Sequence, residues 1–263
     1  MFQESFLQGR SGAVMRAINI LDNALWDLNV RSVKLPLHRY LGGYAEDAVP
    51  AYASGGYYLA GKTPKKLGAE AIGTDVLLAL DANNSWKDLP TALEHLKRYE
   101  KYYPSWIEEP FGPDDIDSHA RLARATGVTV ATGEIGVGRW YFKELMEKGG
   151  AAILQQDAAV CGGIAEWRRI AATAASYGVT VCPHWFHDLH VHLVASTPNA
   201  RMAEFFTDDQ VLNFRRLVDC QLEFKNGMLK LPAHLGLGFG FDEKAVARYS
   251  PDASKNPWKE IKK

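Results

Sequence analysis

Six ionisable side chains close short apolar runs in this sequence: Asp81 after 76–80, Glu108 after Trp106 and Ile107, Glu134 after 128–133, Asp157 after 153–156, His184 after 179–183, and Glu204 after Met202 and Ala203. The steps from Asp81 to His184 are 27, 26, 23 and 27 residues, and Glu204 follows after another 20. One strand, one helix and two short loops take about 25 to 30 residues. The spacing therefore predicts repeated βα units, each with an ionisable group at the C-terminal tip of its strand. In a βα barrel those tips meet on one face, where the chemistry is done. The pattern points to an enzyme, and to one that uses a metal.

Asp81, Glu108 and Glu134 would repel one another strongly in a site of low dielectric. A divalent cation removes that repulsion. Three hard oxygen ligands suit Mg²⁺, which keeps its other positions for water or substrate oxygens. Any one of these acids alone reads as a helix cap or a solvated loop carboxylate; three in register read as a metal site. Asp157 and His184 fall on the next two tips. A carboxylate beside an imidazole fixes its tautomer and raises its pKa, which makes a general base or acid. Glu204, crowded by other acids, is the kind of carboxyl that stays protonated near neutral pH and donates to a substrate oxygen. Asn83, two residues past Asp81, either donates to a substrate oxygen or starts the loop into the next helix. His187, His190 and His192 form a rival cluster, but HxxHxH is not a recognised zinc spacing. They are expected on the helix after the His184 strand, in structural or substrate-facing roles.

Periodicity supplies the elements that must position these groups. Residues 12–30 read as a helix on which Ile18, Leu21, Leu25 and Leu28 recur while Asp22, Asn23 and Asp27 face elsewhere. Residues 35–43, with Pro36 and Gly42-Gly43, read as a loop, residues 51–55 as a short strand, and Thr63-Pro64 as the start of a helix. Further helices are expected over 89–102, 115–125, 139–148, 164–177 and 188–196. Near the end, an Asn226-Gly227 turn joins two short strands, 221–224 and 229–231. Glycine-rich 235–241 lacks GxGxxG spacing and reads as a tight segment packed under the barrel, not as a dinucleotide loop. Strands number seven, near residues 52, 78, 106, 131, 154, 181 and 203, where a closed βα barrel has eight.

The 263 residues suffice for one large α/β domain. It divides into a leading helix and linker (1–50), barrel βα units (51–212), and a C-terminal hairpin and tail (213–263). A net charge of −1 steers the chain toward neither nucleic acid nor an anionic membrane. Three scattered cysteines build neither a disulfide framework nor a zinc cage. No apolar run approaches the roughly 18 residues of a membrane span, and a reducing cytoplasm is the expected setting.

The segments AINILDNALWDL, LLALDANNSW, WIEEP, ATGE, QQDAAVCGGI and VCPHWF, in this order and at these spacings, resemble the mandelate racemase branch of the enolase superfamily. The likeness runs over about residues 12–249. It implies an α/β fold, a modified TIM barrel of the (β/α)7β type, with an active-site Mg²⁺. It implies Asp81, Glu108 (the first acid of IEEP) and Glu134 as metal ligands and Asp157 with His184 as a catalytic dyad. Glu204 would be the catalytic group that meets the enolate side of the substrate, and Asn83 a substrate contact. The step common to that family is removal of the proton α to a carboxylate. HDLHVHL, EFF and GLGF look most like its acid-sugar dehydratases, such as those acting on talarate or galactarate. The expected reaction is thus dehydration of an aldonate or aldarate to a 2-keto-3-deoxy acid. A racemase or epimerase of a 2-hydroxy acid, and a catalytically silent barrel remnant, are the alternatives. The expected partner is a small sugar-acid carboxylate, with no nucleic acid and no membrane, and the resemblance implies a homo-oligomer.

Two departures mark the chain. Members of that branch carry an N-terminal α+β capping domain, whereas this sequence opens at the helix that precedes the barrel. They also carry a Lys-x-Lys pair on the second barrel strand, where KTPKKLGAE here runs directly into AIGTDVLLALDAN. The strand with that pair is expected to be absent, and Lys65-Lys66 reads as an exposed helix face. The sequence then reads as joined pieces of a longer chain. The mass of the intact protein is expected to exceed that of these 263 residues, which mass spectrometry reads directly.

Overall fold

The computed structural model describes residues 1–7, 9–45, 47–56, 77–206 and 213–250. The helix expected at Thr63-Pro64, the Lys65-Lys66 face and the start of the run at Val76 lie outside the described residues. Whether a second barrel strand is absent turns on the same stretch.

Seven strands stand close to their expected positions: β1 (Ala48–Ser54), β2 (Ala79–Asp81), β3 (Trp106–Glu108), β4 (Val130–Thr132), β5 (Ile153–Leu154), β6 (Thr180–Val181) and β7 (Ala203–Phe206). Strands β2 to β6 pair in sequence order as one parallel sheet. Strand β7 pairs parallel with β1. A parallel bridge between Val181 and Ala200 joins β6 to the segment that leads into β7. Among the described residues β1 and β2 do not pair; residues 57–76 lie between them in the chain. The Asn226-Gly227 turn closes the expected hairpin of β8 (Phe224–Lys225) and β9 (Met228–Lys230), both turn residues taking positive φ. Strand β9 pairs antiparallel with Ala48–Pro50 of β1.

The helices are α1 (Gly12–Ser32), α2 (Leu37–Tyr40), α3 (Leu89–Tyr99), α4 (Ile116–Ala125), α5 (Gly138–Glu147), α6 (Gly163–Ser176), α7 (His187–Ala195) and α8 (Glu243–Tyr249). Among the described residues no helix is long and apolar enough to cross a membrane. Helix α2 corrects the loop expected over 35–43. Pro36 is extended and opens a single turn, anchored by the buried Leu37 and His38.

Alternation along the strands divides side chains between two faces. One set, Ile107, Val130, Leu154 and Val181, packs under the helices. The other, Ala79, Trp106, Ala131, Ile153 and Cys182 with Tyr52 and Met202, forms its own apolar cluster on the inner face. Two residues further along, the next inward positions are Asp81 after Ala79, Glu108 after Trp106, His184 after Cys182 and Glu204 after Met202. Strand parity thus sets these four ionisable groups one layer above an apolar floor.

Helix α1 is turned the opposite way from its apolar stripe. Leu21, Leu25 and Leu28 are 52%, 48% and 63% exposed, while Asn19 is buried and Asp22 and Asn23 are half-buried. The reason is hydrogen bonding. Helix α6 begins after Gly162, which has no side chain to cap it, and its first N–H groups need acceptors. Asn23 Oδ1 accepts from Ile164 N (3.0 Å) and Asp22 Oδ2 from Ala165 N (2.9 Å). The side-chain amides of Asn23 and Asn19 donate to the carbonyls of Ala158 (3.1 Å) and Ala159 (2.8 Å). Gly163 makes room for this: at φ +86° a Cβ there would stand 2.4 Å from Asp22 Oδ2. The glycine-rich segment after residue 235 is tight, as expected, but its partners are α1, α2 and α7. Leu237 N donates to Asp27 Oδ1 (2.7 Å), Leu37 N to Gly236 O (2.8 Å) and His192 Nε2 to Leu237 O (3.0 Å). Asn23→Ala removes a cap and a second bond at once. It is expected to lower unfolding free energy by about 1–2 kcal/mol, measured by urea denaturation.

Candidate active site and metal centre

A cavity of about 380 Å³ lies at the strand tips. All seven residues singled out in the sequence line it: Asp81, Asn83, Glu108, Glu134, Asp157, His184 and Glu204. Arg16, Ile135, Val160, Trp185 and Phe186 complete the wall. Asp81 and Glu108 are register partners on adjacent parallel strands, so their backbones lie about 4.8 Å apart. Glu109, the second acid of the pair, is not part of the wall. It is buried, its φ is +40°, and it accepts from Asn84 Nδ2.

His184 stands between two carboxylates. Its Nδ1 lies 3.2 Å from Asp157 Oδ2 and its Nε2 lies 3.4 Å from Glu134 Oε2. Asp157 is held in turn, its Oδ1 accepting from Ala159 N at 2.7 Å. Beside it, His190 Nε2 accepts from Ala158 N at 3.0 Å and lies 3.5 Å from Asp157 Oδ1. Glu204 is held on both oxygens: Ser54 Oγ donates to Oε1, and Trp185 N donates to Oε2 at 2.6 Å. To aim that N–H, Trp185 takes φ +65°, a left-handed conformation rare outside glycine. Asn83 N donates to Asp81 Oδ1 at 2.7 Å, and Trp106 Nε1 to Glu108 Oε2 at 3.4 Å.

Burial pushes up the pKa of Asp81, Glu108, Glu134 and Glu204. Glu108 lies well above the ordinary carboxylate range, with Glu204, Asp81 and Glu134 adding repulsion. Burial alone would depress His184. The hydrogen bond that Nδ1 donates to Asp157 and the charges of Glu134 and Glu204 outweigh it and lift the imidazole to about 9.

Converging oxygen donors that repel one another are the donor set a hard divalent cation relieves, and buried Glu108, half-buried Glu134 and the more exposed Asp81 fit Mg²⁺ in type and number. Among the described residues no three such side chains stand close enough to hold an ion as they are. Each carboxyl is turned to its own neighbour: Asp81 to Asn83, Glu108 to Trp106 and Glu134 to His184. Drawing them onto one ion calls for side-chain rotation on neighbouring strand ends.

The rival histidines do not form a metal site. His187, His190 and His192 are all buried on α7, and burial lowers them to about 3, 4 and 4, so they are neutral at physiological pH. His192 Nδ1 accepts from His38 N (3.2 Å), and His187 packs against the Phe205 ring at 4.9 Å. Three groups escaped the sequence reading: Ser54, the Trp185 N–H and Arg16. Ser54 closes the β1 run and could have been found as a seventh tip, but it is neither acid nor histidine. The other two carry no local signal.

Comparison with known proteins places this geometry among relatives. A family profile described as Enolase C-terminal domain-like matches residues 66–245. An L-talarate/galactarate dehydratase of Salmonella typhimurium is 32% identical over 269 residues, an alignment that covers 90% of this chain and 66% of that protein. The chain thus spans about two thirds of that relative's length. An arabinonate dehydratase of Saccharolobus solfataricus is 30% identical, covering 95% of this chain and 76% of that protein. The crystal structure of an L-talarate dehydratase from Polaromonas, complexed with Mg and L-glucarate, superposes with a TM-score of 0.81 at 28% identity, covering 93% of this chain and 76% of that one. Mg²⁺ at about a hundred times its dissociation constant is expected to raise unfolding free energy by about 2.7 kcal/mol, read as a higher Tm. Glu108→Gln is expected to remove that rise without lowering the Tm in chelator.

Proposed function

The chain belongs to the enolase C-terminal domain-like family, and from that premise we propose that it removes the proton α to the carboxylate of an acid sugar and expels the β-hydroxyl, giving a 2-keto-3-deoxy acid. The observation that carries this reading is the meeting of three strand-tip acids, an Asp157–His184 pair and a clamped Glu204 in one cavity. The named activities of the relatives support it.

A Mg²⁺ held by Asp81, Glu108 and Glu134 would polarise the substrate carboxylate and make its α proton acidic enough to remove. His184 is the base. Asp157 accepts a hydrogen bond from Nδ1–H and holds that tautomer, and with Glu134 drawn away onto a cation the deprotonated Nε2 would be free to take the α proton from C2. Glu204, whose pKa burial raises, would in its protonated form donate to the oxygen that gains charge as the proton leaves. The imidazolium then hands its proton to the C3 hydroxyl as the C3–O bond breaks. Water departs, and the resulting enol becomes the ketone. One imidazole serves both proton transfers, so the described residues suffice for an elimination on one face. Asn83, at the tip beside Asp81, is placed to donate to a substrate oxygen.

Incubation with Mg²⁺ and a set of aldonates and aldarates, assayed for keto acid, tests the reading. His184→Asn is expected to lower kcat by about 10²- to 10⁴-fold and to stop exchange of the C2 hydrogen in D₂O. Keto acid formed at an undiminished rate by that variant would overturn the assignment.

A further inference from the structure

Arg16 lines the same cavity as the carboxylates but comes from α1, not from a strand tip. Its Nη1 donates to the carbonyl of Ala159 at 3.2 Å, two residues past Asp157. Among the described residues no carboxylate pairs with it, which leaves most of the N–H groups of the guanidinium unengaged. That is unusual beside Asp81, Glu108, Glu134, Asp157 and Glu204, and among the described lining residues it is the one permanent cation. A cavity so rich in acids repels an anionic substrate. A divalent cation at the three metal acids answers one substrate carboxylate and leaves a second one unanswered. The planar fork of a guanidinium matches a carboxylate with two parallel hydrogen bonds, which a hydroxymethyl group cannot reproduce.

We propose that Arg16 binds the distal carboxylate of the substrate, so that the preferred acid sugars are dicarboxylates (aldarates) and not monocarboxylates. The proposal rests on the reading of the cavity as an acid-sugar site and narrows it to one class. The tether to Ala159 gives the position its precision: the strand end that supplies Asp157 also fixes where the guanidinium sits. Reactive carbon and distal carboxylate are then measured from one piece of backbone.

Galactarate and galactonate differ only at C6 and serve as probes. Each is titrated calorimetrically with Mg²⁺ into His184→Asn protein, which holds the acid without turning it over. Galactarate is expected to bind at least about tenfold more tightly than galactonate. With Arg16→Ala added, the ratio is expected to fall to near one. With Arg16→Lys, which keeps a point charge but loses the fork, it is expected to be intermediate. A ratio that Arg16→Ala leaves unmoved, or a preference for galactonate in the parent, overturns the proposal and leaves the acid-sugar reading standing. Binding of neither acid overturns that reading and the proposal with it.

Discussion

Mutual repulsion among carboxylates is the constraint on which the site depends. Two like charges 4 Å apart at an effective dielectric of 20 cost about 4 kcal/mol, against a total folding stability of about 5–15 kcal/mol. Five acids in one cavity are tolerable only if protons, donors or a cation answer them. The protein supplies donors one by one: the Asn83 N–H to Asp81, the Trp106 indole to Glu108, His184 to Glu134 and Asp157, and Ser54 with the Trp185 N–H to Glu204. The left-handed backbone of Trp185 follows from the same need, since an N–H aimed at Glu204 is worth more there than a relaxed φ. What remains unanswered, around Glu108 above all, is what a divalent cation would relieve.

The part of this arrangement that is local in the chain was legible from the chain. Asp81, Glu108, His184 and Glu204 are each set by the parity of their own strands, and parity can be read from a few residues. The spacing of the runs carries the repeat, so the seven strands and most helix limits fall close to expectation. The rest depends on partners far away in sequence. On α1, the periodic leucines suggested the buried face, but the N–H groups opening α6 required acceptors, and Asp22 and Asn23 met them. Nothing near residue 22 announces that demand. Arg16 escapes notice for the same reason, since its anchor is a carbonyl at Ala159. The short helix α2 was hidden by Pro36 and the Gly42-Gly43 pair, which read as loop until Leu37 and His38 are seen to be buried.

Helix α7 shows how polar residues can serve a core. Every residue from His187 to Ala195 is buried, including three histidines whose protonation burial suppresses. A neutral imidazole offers one donor and one acceptor on a flat ring. His192 spends both, accepting from the His38 N–H and donating to the Leu237 carbonyl, and so ties α2 and the glycine-rich segment to the helix. His190 accepts from Ala158 N and stands beside Asp157, which places a core residue behind the Asp157–His184 pair. The polar rim of the cavity and the packing beneath it are continuous through this helix.

Strand β1 has a consequence for how the chain is made. Its pairing partners are β7 at Ala203–Phe206 on one side and β9 at Met228–Lys230 on the other. During synthesis β1 leaves the ribosome early, and its hydrogen-bonding edges wait for both partners to follow. Contacts this distant along the chain slow folding, and waiting edges invite pairing with a neighbouring nascent chain. Pro50, inside β1, cannot donate to any such ladder. The proline that looks like an interruption of the strand is thus suited to guarding it until its own partners arrive.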